Sequence, residues 1–218
     1  FKFNKDENKI EPIKGDVSIF FPAKKETSNL KFHIDAPFAS TVARDSIKES
    51  TENEDIIADI ATLCRESIHK IKDQGLLSTS FFEVLPNMGD KLNEFYQPIF
   101  DSFVDEFNSR ENKLIPLYDG SFGSIDRSVY CPRRLSDIFV DEDDIYILFN
   151  NEELDGFAIT ARTGSGFEKF LSSLDGVVEY EDYDVFNSIY EIASKVSNAF
   201  IKERKEILED WDLGDDLD

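Results

Sequence analysis

The clearest hydrophobic pattern in this chain of 218 residues lies between residues 51 and 74. Thr51 and Glu54 have the spacing of a capping box, in which each side chain satisfies the other's free backbone N–H. Gly75 supplies the left-handed residue that ends many helices. The segment therefore predicts a helix, whose buried stripe recurs at helical spacing and consists of Ile56, Ile60, Leu63, Ser67, Ile68 and Ile71.

Two further segments predict helices, at residues 90–109 and 183–209. Pro98 interrupts the first of them, which predicts either a kink or a fresh helix start with Pro98 in its first turn. A short apolar segment before it, residues 81–85, predicts a single helical turn. The apolar positions are Phe95, Ile99, Phe103 and Phe107 in the first helix, and Val185, Ile189, Ile192, Val196 and Phe200 in the second.

Strand patterns dominate the region before residue 40. The apolar run 17–21 stops at Pro22, which lacks a backbone donor and so marks the end or edge of a strand. Residues 30–35 then alternate between apolar and polar, the period of a half-buried strand. Together they predict a hairpin, followed by a loop that presents Arg44 next to Asp45.

Short strands and tight turns are predicted again between residues 114 and 149, with a turn at Asp119–Gly120 and a strand at 145–149 that is buried on both faces. Two glycine-containing segments, 155–158 and 164–166, are interpreted as turns. The predicted class is α+β, with small mixed or antiparallel sheets in 1–40 and 114–160 and amphipathic helices packed on them. We expect two domains: 1–112 holds the hairpin and two helices, and 113–218 holds an α+β subdomain with the C-terminal helix and an acidic tail.

Composition favours a folded chain. Hydrophobic residues make up 40% and Phe alone accounts for 20 positions, whereas disordered chains are poor in aromatic residues. No apolar run is long enough to cross a bilayer, and no signal peptide opens the sequence. Because the first residue is Phe1, we expect a fragment or processed product whose parent protein continues on the N-terminal side.

The cysteines, Cys64 and Cys131, are isolated, which favours a reducing, cytoplasmic compartment and predicts two free thiols. The histidines, His33 and His69, lie far from them and lack the spacing of metal ligands. No structural zinc is therefore expected.

The net charge of −22 arises from 46 acidic and 24 basic residues. Such a surface repels nucleic-acid phosphate and anionic membranes, so we expect no direct contact with either. A DNA mimic, which places carboxylates where phosphates would lie, is the functional alternative. The interspersed basic residues favour an ordinary solvated acidic surface instead.

Few segments carry a pattern with catalytic or binding chemistry. The acidic run 141–144 lacks the spaced ligands and glycine of an EF-hand. Gly164-Ser165-Gly166 lacks the lysine that ends a phosphate-binding loop. No nucleophile–histidine set can be named from the spacings. Arg44 is the candidate site residue, because an arginine fork donates two parallel hydrogen bonds to phosphate oxygens.

The segment around Arg44 resembles the region that follows the nucleotide-binding core in sacsin-like GHKL ATPases, which are relatives of the heat-shock chaperones and of the gyrase and mismatch-repair ATPases. The resemblance continues through later motifs and covers about two thirds of the chain. The matching residues are Phe20-Phe21-Pro22, Glu26-Thr27, Leu30, Phe32-His33-Ile34, Ala36-Pro37-Phe38 and Thr41 to Asp45, then Gln74 to Leu77, Leu85-Pro86-Asn87, Leu114-Ile115-Pro116 and Asp119 to Phe122.

The resemblance implies a transducer or middle segment that couples the ATP state of a larger protein to conformation or partner binding. Arg44 would reach the terminal phosphate of ATP, and the fragment itself would hold no cofactor, since ATP and Mg belong to the parent protein. The implied partners are the preceding GHKL nucleotide-binding domain, unidentified proteins and, in the parent, a second copy of the chain. The implied setting is chaperone-like, in long multidomain bacterial proteins associated with stress or phage defence.

Two alternatives to this interpretation remain open at the level of sequence. Arg44 could pair with Asp45 or Asp35 and simply fix its own loop. The second alternative is that the chain is an acidic protein-interaction scaffold without any coupling to an ATPase.

Overall fold

The structure, a computed structural model, describes residues 1–130, 154–159, 161–176 and 178–179. In these ranges the chain forms small sheets of two or three strands with helices packed on them, which confirms the predicted α+β class. Among the described residues, no helix combines the length and apolarity needed to cross a membrane. The strand predicted at 145–149, the acidic run 141–144 and the helix predicted at 183–209 lie outside these ranges.

Helix α1 spans Thr51–Asp73 and confirms the predicted position. Its end is a Schellman motif: the Leu76 N–H donates to the Ile71 carbonyl over 2.9 Å, and the Gly75 N–H donates to the Lys72 carbonyl over 2.8 Å. Gly75 has the left-handed φ of 69° that this motif requires. The predicted capping box is wrong, because the N-cap is Ser50 and the helix therefore begins one residue earlier than a Thr51 cap would allow.

The buried face of α1 differs from the predicted stripe. Ile57, Ala61 and Ile68 point into the core, whereas Leu63 is 61% exposed. Ile56, Ile60 and Ile71 are half-buried at the edge of this face. The prediction failed at Leu63 because several apolar stripes fit the same helix, and only packing against α2 and the sheets selects one of them.

Helix α2 spans Gln97–Asn108 and follows a 3₁₀ turn at Glu94–Tyr96. Pro98 lies in its first turn, so the predicted fresh start is confirmed and the kink is not. The helix buries Ile99, Phe103 and Phe107. It is joined to α1 by His69, whose Nε2 lies 2.6 Å from the Glu106 carboxylate. The predicted helical turn near residue 81 is the 3₁₀ helix Phe81–Glu83.

The N-terminal strands differ most from their prediction. An antiparallel pair, β1 (Lys2–Asn4) and β2 (Lys9–Glu11), precedes the first predicted strand. The strands β3 (Val17–Ser18) and β4 (Ile34–Asp35) are shorter than predicted and pair in parallel. They do not form the expected hairpin.

The parallel pairing of β3 and β4 follows from two chain reversals between them. The first is a tight turn in which the Ala23 N–H donates to the Val17 carbonyl over 2.9 Å and Phe20 adopts a left-handed φ of 57°. The second lies at Asn29, with a φ of 58°. Two reversals return the chain to its original direction, so β4 runs alongside β3 in the same sense. Leu30 and Ile34 are nevertheless buried, as their alternation predicted.

After α2, the chain forms two small sheets and one short helix within the described ranges. The turn at Asp119–Gly120 is confirmed, with a φ of 82° at Gly120. The segment 155–158, interpreted as a turn, instead contains a strand, because it lies beside the central strand of a parallel sheet. The elements are β5 (Ile115–Pro116) antiparallel to β6 (Phe122–Gly123), β7 (Ser128–Tyr130) between β8 (Gly156–Phe157) and β9 (Val178–Glu179), and helix α3 (Gly166–Leu171).

Four phenylalanine rings pack together where these elements meet. The Phe82 ring centroid lies 5.4 Å from that of Phe107, 4.5 Å from that of Phe167 and 5.6 Å from that of Phe170. Phe82 and Phe107 belong to the predicted domain 1–112, whereas Phe167 and Phe170 belong to 113–218. The boundary at residue 112 stays a prediction, but the apolar core of the described residues crosses it.

Candidate functional site

Arg44 lies at the tip of the loop that connects β4 to α1. The two arms of this loop are joined by a bridge between Ser40 and Ile47, and the Thr41 N–H donates to the Ser46 carbonyl over 3.1 Å. The Arg44 N–H closes the tip by donating to the Thr41 carbonyl over 2.9 Å. The loop is thus a small hairpin of its own, and we call residues 39–48 the Arg44 loop.

The Arg44 side chain is exposed at this tip. Among the described residues, none forms a hydrogen bond or an ion pair with its guanidinium. Asp45, one of the two partners that the sequence allowed, instead pairs with Lys25, with 2.6 Å between Nζ and Oδ2. The alternative pairing of Arg44 with Asp45 or Asp35 is therefore not found among the described residues.

The backbone at Arg44 adopts a left-handed φ of 58°. Residues other than glycine, asparagine and aspartate rarely adopt this backbone conformation, and it persists only where the surroundings impose it. Neighbouring Val42 is also fully exposed, with a relative exposure of 104%. The loop therefore holds a strained tip that presents an arginine and an apolar side chain to solvent.

The returning arm of the Arg44 loop is fixed by the segment that follows Pro22. The Lys25 N–H donates to the Asp45 carbonyl over 2.8 Å, in addition to the ion pair between their side chains. The hydrogen bond from Lys25 lowers the pKa of Asp45, and the same contact raises the pKa of Lys25. Next along the arm, the Ile47 N–H donates to Glu26 Oε2 over 3.0 Å.

No role in this site was assigned to Asn53 or Glu26 from the sequence, although Glu26 is among the residues that carry the family resemblance. Asn53, at the third position of α1, is completely buried and bonds to both arms of the loop. Glu26 bonds to the returning arm and to Tyr96. A signal for Asn53 was present, since it precedes Ile57 and Ala61 at steps of four and is a polar residue on an otherwise apolar face. Glu26 was marked only as part of the Glu26-Thr27 motif, which gave no indication of its contacts with Ile47 and Tyr96.

The Gly164–Gly166 segment is the turn that the sequence predicted, followed by α3. The backbone donors that a phosphate would need are already occupied. The Gly166 N–H donates to Glu83 Oε1 over 2.7 Å, and the Ser165 hydroxyl accepts from the Glu168 N–H over 3.2 Å. A Cβ at Gly166 would come within 2.7 Å of the Phe82 carbonyl oxygen, so this glycine serves close packing.

Cys64 is half-buried and, among the described residues, forms no disulfide, in line with its prediction; Cys131 lies outside them. It lines an apolar cleft of about 250 Å³ between α1 and residues 32–35. Burial raises the pKa of its thiol to about 12, so Cys64 is protonated at neutral pH and is a poor nucleophile.

Within the described ranges, no group of three or more His, Cys, Asp or Glu residues is placed to hold a metal ion.

Asp155, which opens the glycine-containing segment 155–158, has a structural role. Its carboxylate lies 2.6 Å from Lys113 Nζ and accepts the Ser124 N–H over 2.9 Å. Burial works to raise the pKa of Asp155, but the hydrogen bonds from Lys113 and Ser124 outweigh it and hold the pKa below its usual range.

We expect Asp155→Asn to lower the free energy of unfolding by about 1.5–3 kcal/mol at pH 7, the usual contribution of hydrogen bonds to a charged group. Because the folded-state pKa is lowered, this contribution is present above the ordinary aspartate pKa and is lost as the pH falls through the folded-state value. Urea denaturation at pH 7 and pH 3 measures it, with exposed Asp175→Asn as the control. An equal loss of unfolding free energy at both pH values would contradict this account.

Comparison with protein-family models, with curated proteins and with solved structures finds no match to this chain. The interpretation of the site therefore depends on its residues and their geometry.

Proposed function

We propose that this chain is the transducer segment of a larger sacsin-like GHKL ATPase, in which Arg44 contacts the terminal phosphate of ATP. The observation that carries the proposal is the Arg44 loop itself. It holds an exposed arginine at a strained, hydrogen-bonded tip, and no described residue pairs with its guanidinium.

Arginine suits this role for physical reasons. Its planar fork donates parallel hydrogen bonds to two phosphate oxygens, and it stays charged at every physiological pH. A cation at this position offsets the charge that develops on a transferred phosphoryl group. It also reports whether the terminal phosphate is present, which is what coupling to the ATP state requires.

The rest of the proposed setting follows the same resemblance. The parent protein supplies ATP and Mg through the preceding nucleotide-binding domain, and this chain supplies the arginine and passes the change on to the helices behind it. The parent is a cytoplasmic, chaperone-like homodimer with protein partners. Stress or phage defence is the proposed biological context.

A second candidate is an acidic protein-interaction scaffold without ATPase coupling. Phe20 favours it, because this aromatic side chain is 87% exposed at the tip of a tight turn. In the scaffold, Arg44 has no ligand phosphate, and nucleotide leaves the Arg44 loop unchanged.

Hydrogen exchange in the full-length protein separates the two candidates. We expect amides of residues 39–48 to exchange more slowly with a non-hydrolysable ATP analogue than with ADP, because only the former offers a terminal phosphate to Arg44. The difference should disappear in Arg44→Ala. The isolated chain is the control, and ATP should not alter its exchange. Equal exchange with both nucleotides in the full-length protein would favour the scaffold.

A further inference from the structure

One buried side chain holds both arms of the Arg44 loop. The Asn53 carboxamide oxygen accepts the Ala39 N–H over 2.8 Å, while its nitrogen donates to the Ala39 carbonyl over 2.8 Å and to the Lys48 carbonyl over 2.6 Å. Ala39 lies on the arm that leaves β4, and Lys48 lies on the arm that returns to α1. Asn53 therefore closes the base of the loop.

The carboxamide of Asn53 indicates the role of this residue in the loop. An apolar side chain would fill the buried face of α1 without needing hydrogen bonds. It would also remove the bonds to the Ala39 N–H and the Lys48 carbonyl, and would leave the Ala39 carbonyl only the Lys48 N–H, which donates to it over 2.9 Å. Only a side chain with both a donor and an acceptor satisfies all three bonds. Asn53 therefore fixes the conformation of the Arg44 loop in addition to filling space on the buried face of α1.

A second side chain connects the loop to α2. Glu26 Oε2 accepts the Ile47 N–H over 3.0 Å, and Glu26 Oε1 accepts the Tyr96 hydroxyl over 3.0 Å. Tyr96 is completely buried directly before α2. Burial, together with the charge of Glu26, raises the pKa of Tyr96, so its hydroxyl remains a donor. The returning arm thus depends on the position of Tyr96, which is the N-cap residue of α2.

We propose that Asn53 and Glu26 are positioning residues for Arg44, and that the Glu26–Tyr96 hydrogen bond couples the Arg44 loop to α2. The inference rests on the proposed function of Arg44. A left-handed arginine at the tip needs surroundings that impose its conformation; Asn53 supplies them by bonding to both arms, and Glu26 by bonding to the returning arm. The arginine is held in place before any phosphate arrives, and a shift of α2 moves the returning arm.

The test compares Asn53→Ala and Tyr96→Phe with a control that weakens the fold elsewhere. Ile68→Val is the control, because Ile68 is completely buried in α1 but lies four turns beyond Asn53. Tyr96→Phe removes one hydroxyl and preserves the ring, so it folds even if Asn53→Ala does not. Both variants are made in the isolated chain and in the full-length protein.

In the isolated chain we expect Asn53→Ala to speed hydrogen exchange at Ala39 and Ile47 at least 10-fold more than Ile68→Val does. In the full-length protein we expect kcat for ATP to fall about 10-fold or more in Asn53→Ala and less in Tyr96→Phe. The KM should change little, since a displaced catalytic contact acts mainly on the transition state. Ile68→Val should retain normal kcat after correction for its folded fraction.

Two results would overturn the inference. One is exchange at Ala39 and Ile47 that rises no more in Asn53→Ala than in Ile68→Val. The other is normal kcat in both Asn53→Ala and Tyr96→Phe while Arg44→Ala is impaired. If Arg44→Ala itself retains normal turnover, the proposed function fails, and the exchange comparison still decides whether Asn53 holds the loop.

Discussion

Phe82→Ala is expected to lower the free energy of unfolding by about 3–5 kcal/mol, which is much of the total stability of an ordinary domain. Phe82 is completely buried, and its neighbours cannot easily fill the space that its ring leaves. Phe107 comes from α2, and Phe167 and Phe170 come from α3. A collapse around the cavity would have to move both helices at once.

Urea denaturation of the isolated chain measures this effect, with Phe20→Ala as the matched control. Phe20 is 87% exposed, so its truncation should change stability by less than about 0.5 kcal/mol. Comparable losses in the two variants would contradict the packing described around Phe82.

The same experiment tests the predicted boundary at residue 112. A single transition is expected if the shared aromatic core couples the two segments, and two separate transitions would support independent domains.

Local chemistry made the helices predictable. Gly75 ends α1 because the Schellman motif needs a left-handed residue, and that requirement can be read from a single position. Pro98 begins α2 because its missing N–H is harmless in the first turn. Neither feature depends on distant parts of the chain.

Features that depend on long-range contacts could not be predicted in the same way. The pairing of β3 with β4 depends on a left-handed Phe20, which no propensity favours. In the Gly164–Gly166 turn, the Gly166 N–H is occupied because it donates to Glu83, which precedes it by 83 residues. The sequence pointed to Arg44 through its local motif, but Glu26 and Tyr96, separated by 70 residues, meet only in the fold.

Arg44→Ala in the full-length protein is expected to lower ATP turnover by about 10²–10³-fold, the usual cost of losing one well-placed electrostatic contact to a transition state. The fold should be unaffected, because no described residue pairs with the guanidinium and the side chain is exposed. The backbone bond from the Arg44 N–H to the Thr41 carbonyl is available to alanine as well. We therefore expect Arg44→Ala to lower ATP turnover without lowering the stability of the fold.

Arg44→Lys is expected to recover only part of the lost turnover. An ammonium retains the positive charge but lacks the planar fork that binds two phosphate oxygens at once. Lys24 provides a matched control, since Lys24→Ala removes an exposed cation of the same N-terminal region outside the loop. That variant should retain normal turnover, which would separate the specific contact of Arg44 from a general effect of positive charge.

The central claim is tested most directly by measuring ATP turnover and melting temperature together on purified full-length Arg44→Ala. The account predicts an unchanged melting temperature with turnover reduced by about 10²–10³-fold. Normal turnover in a folded Arg44→Ala protein would contradict it.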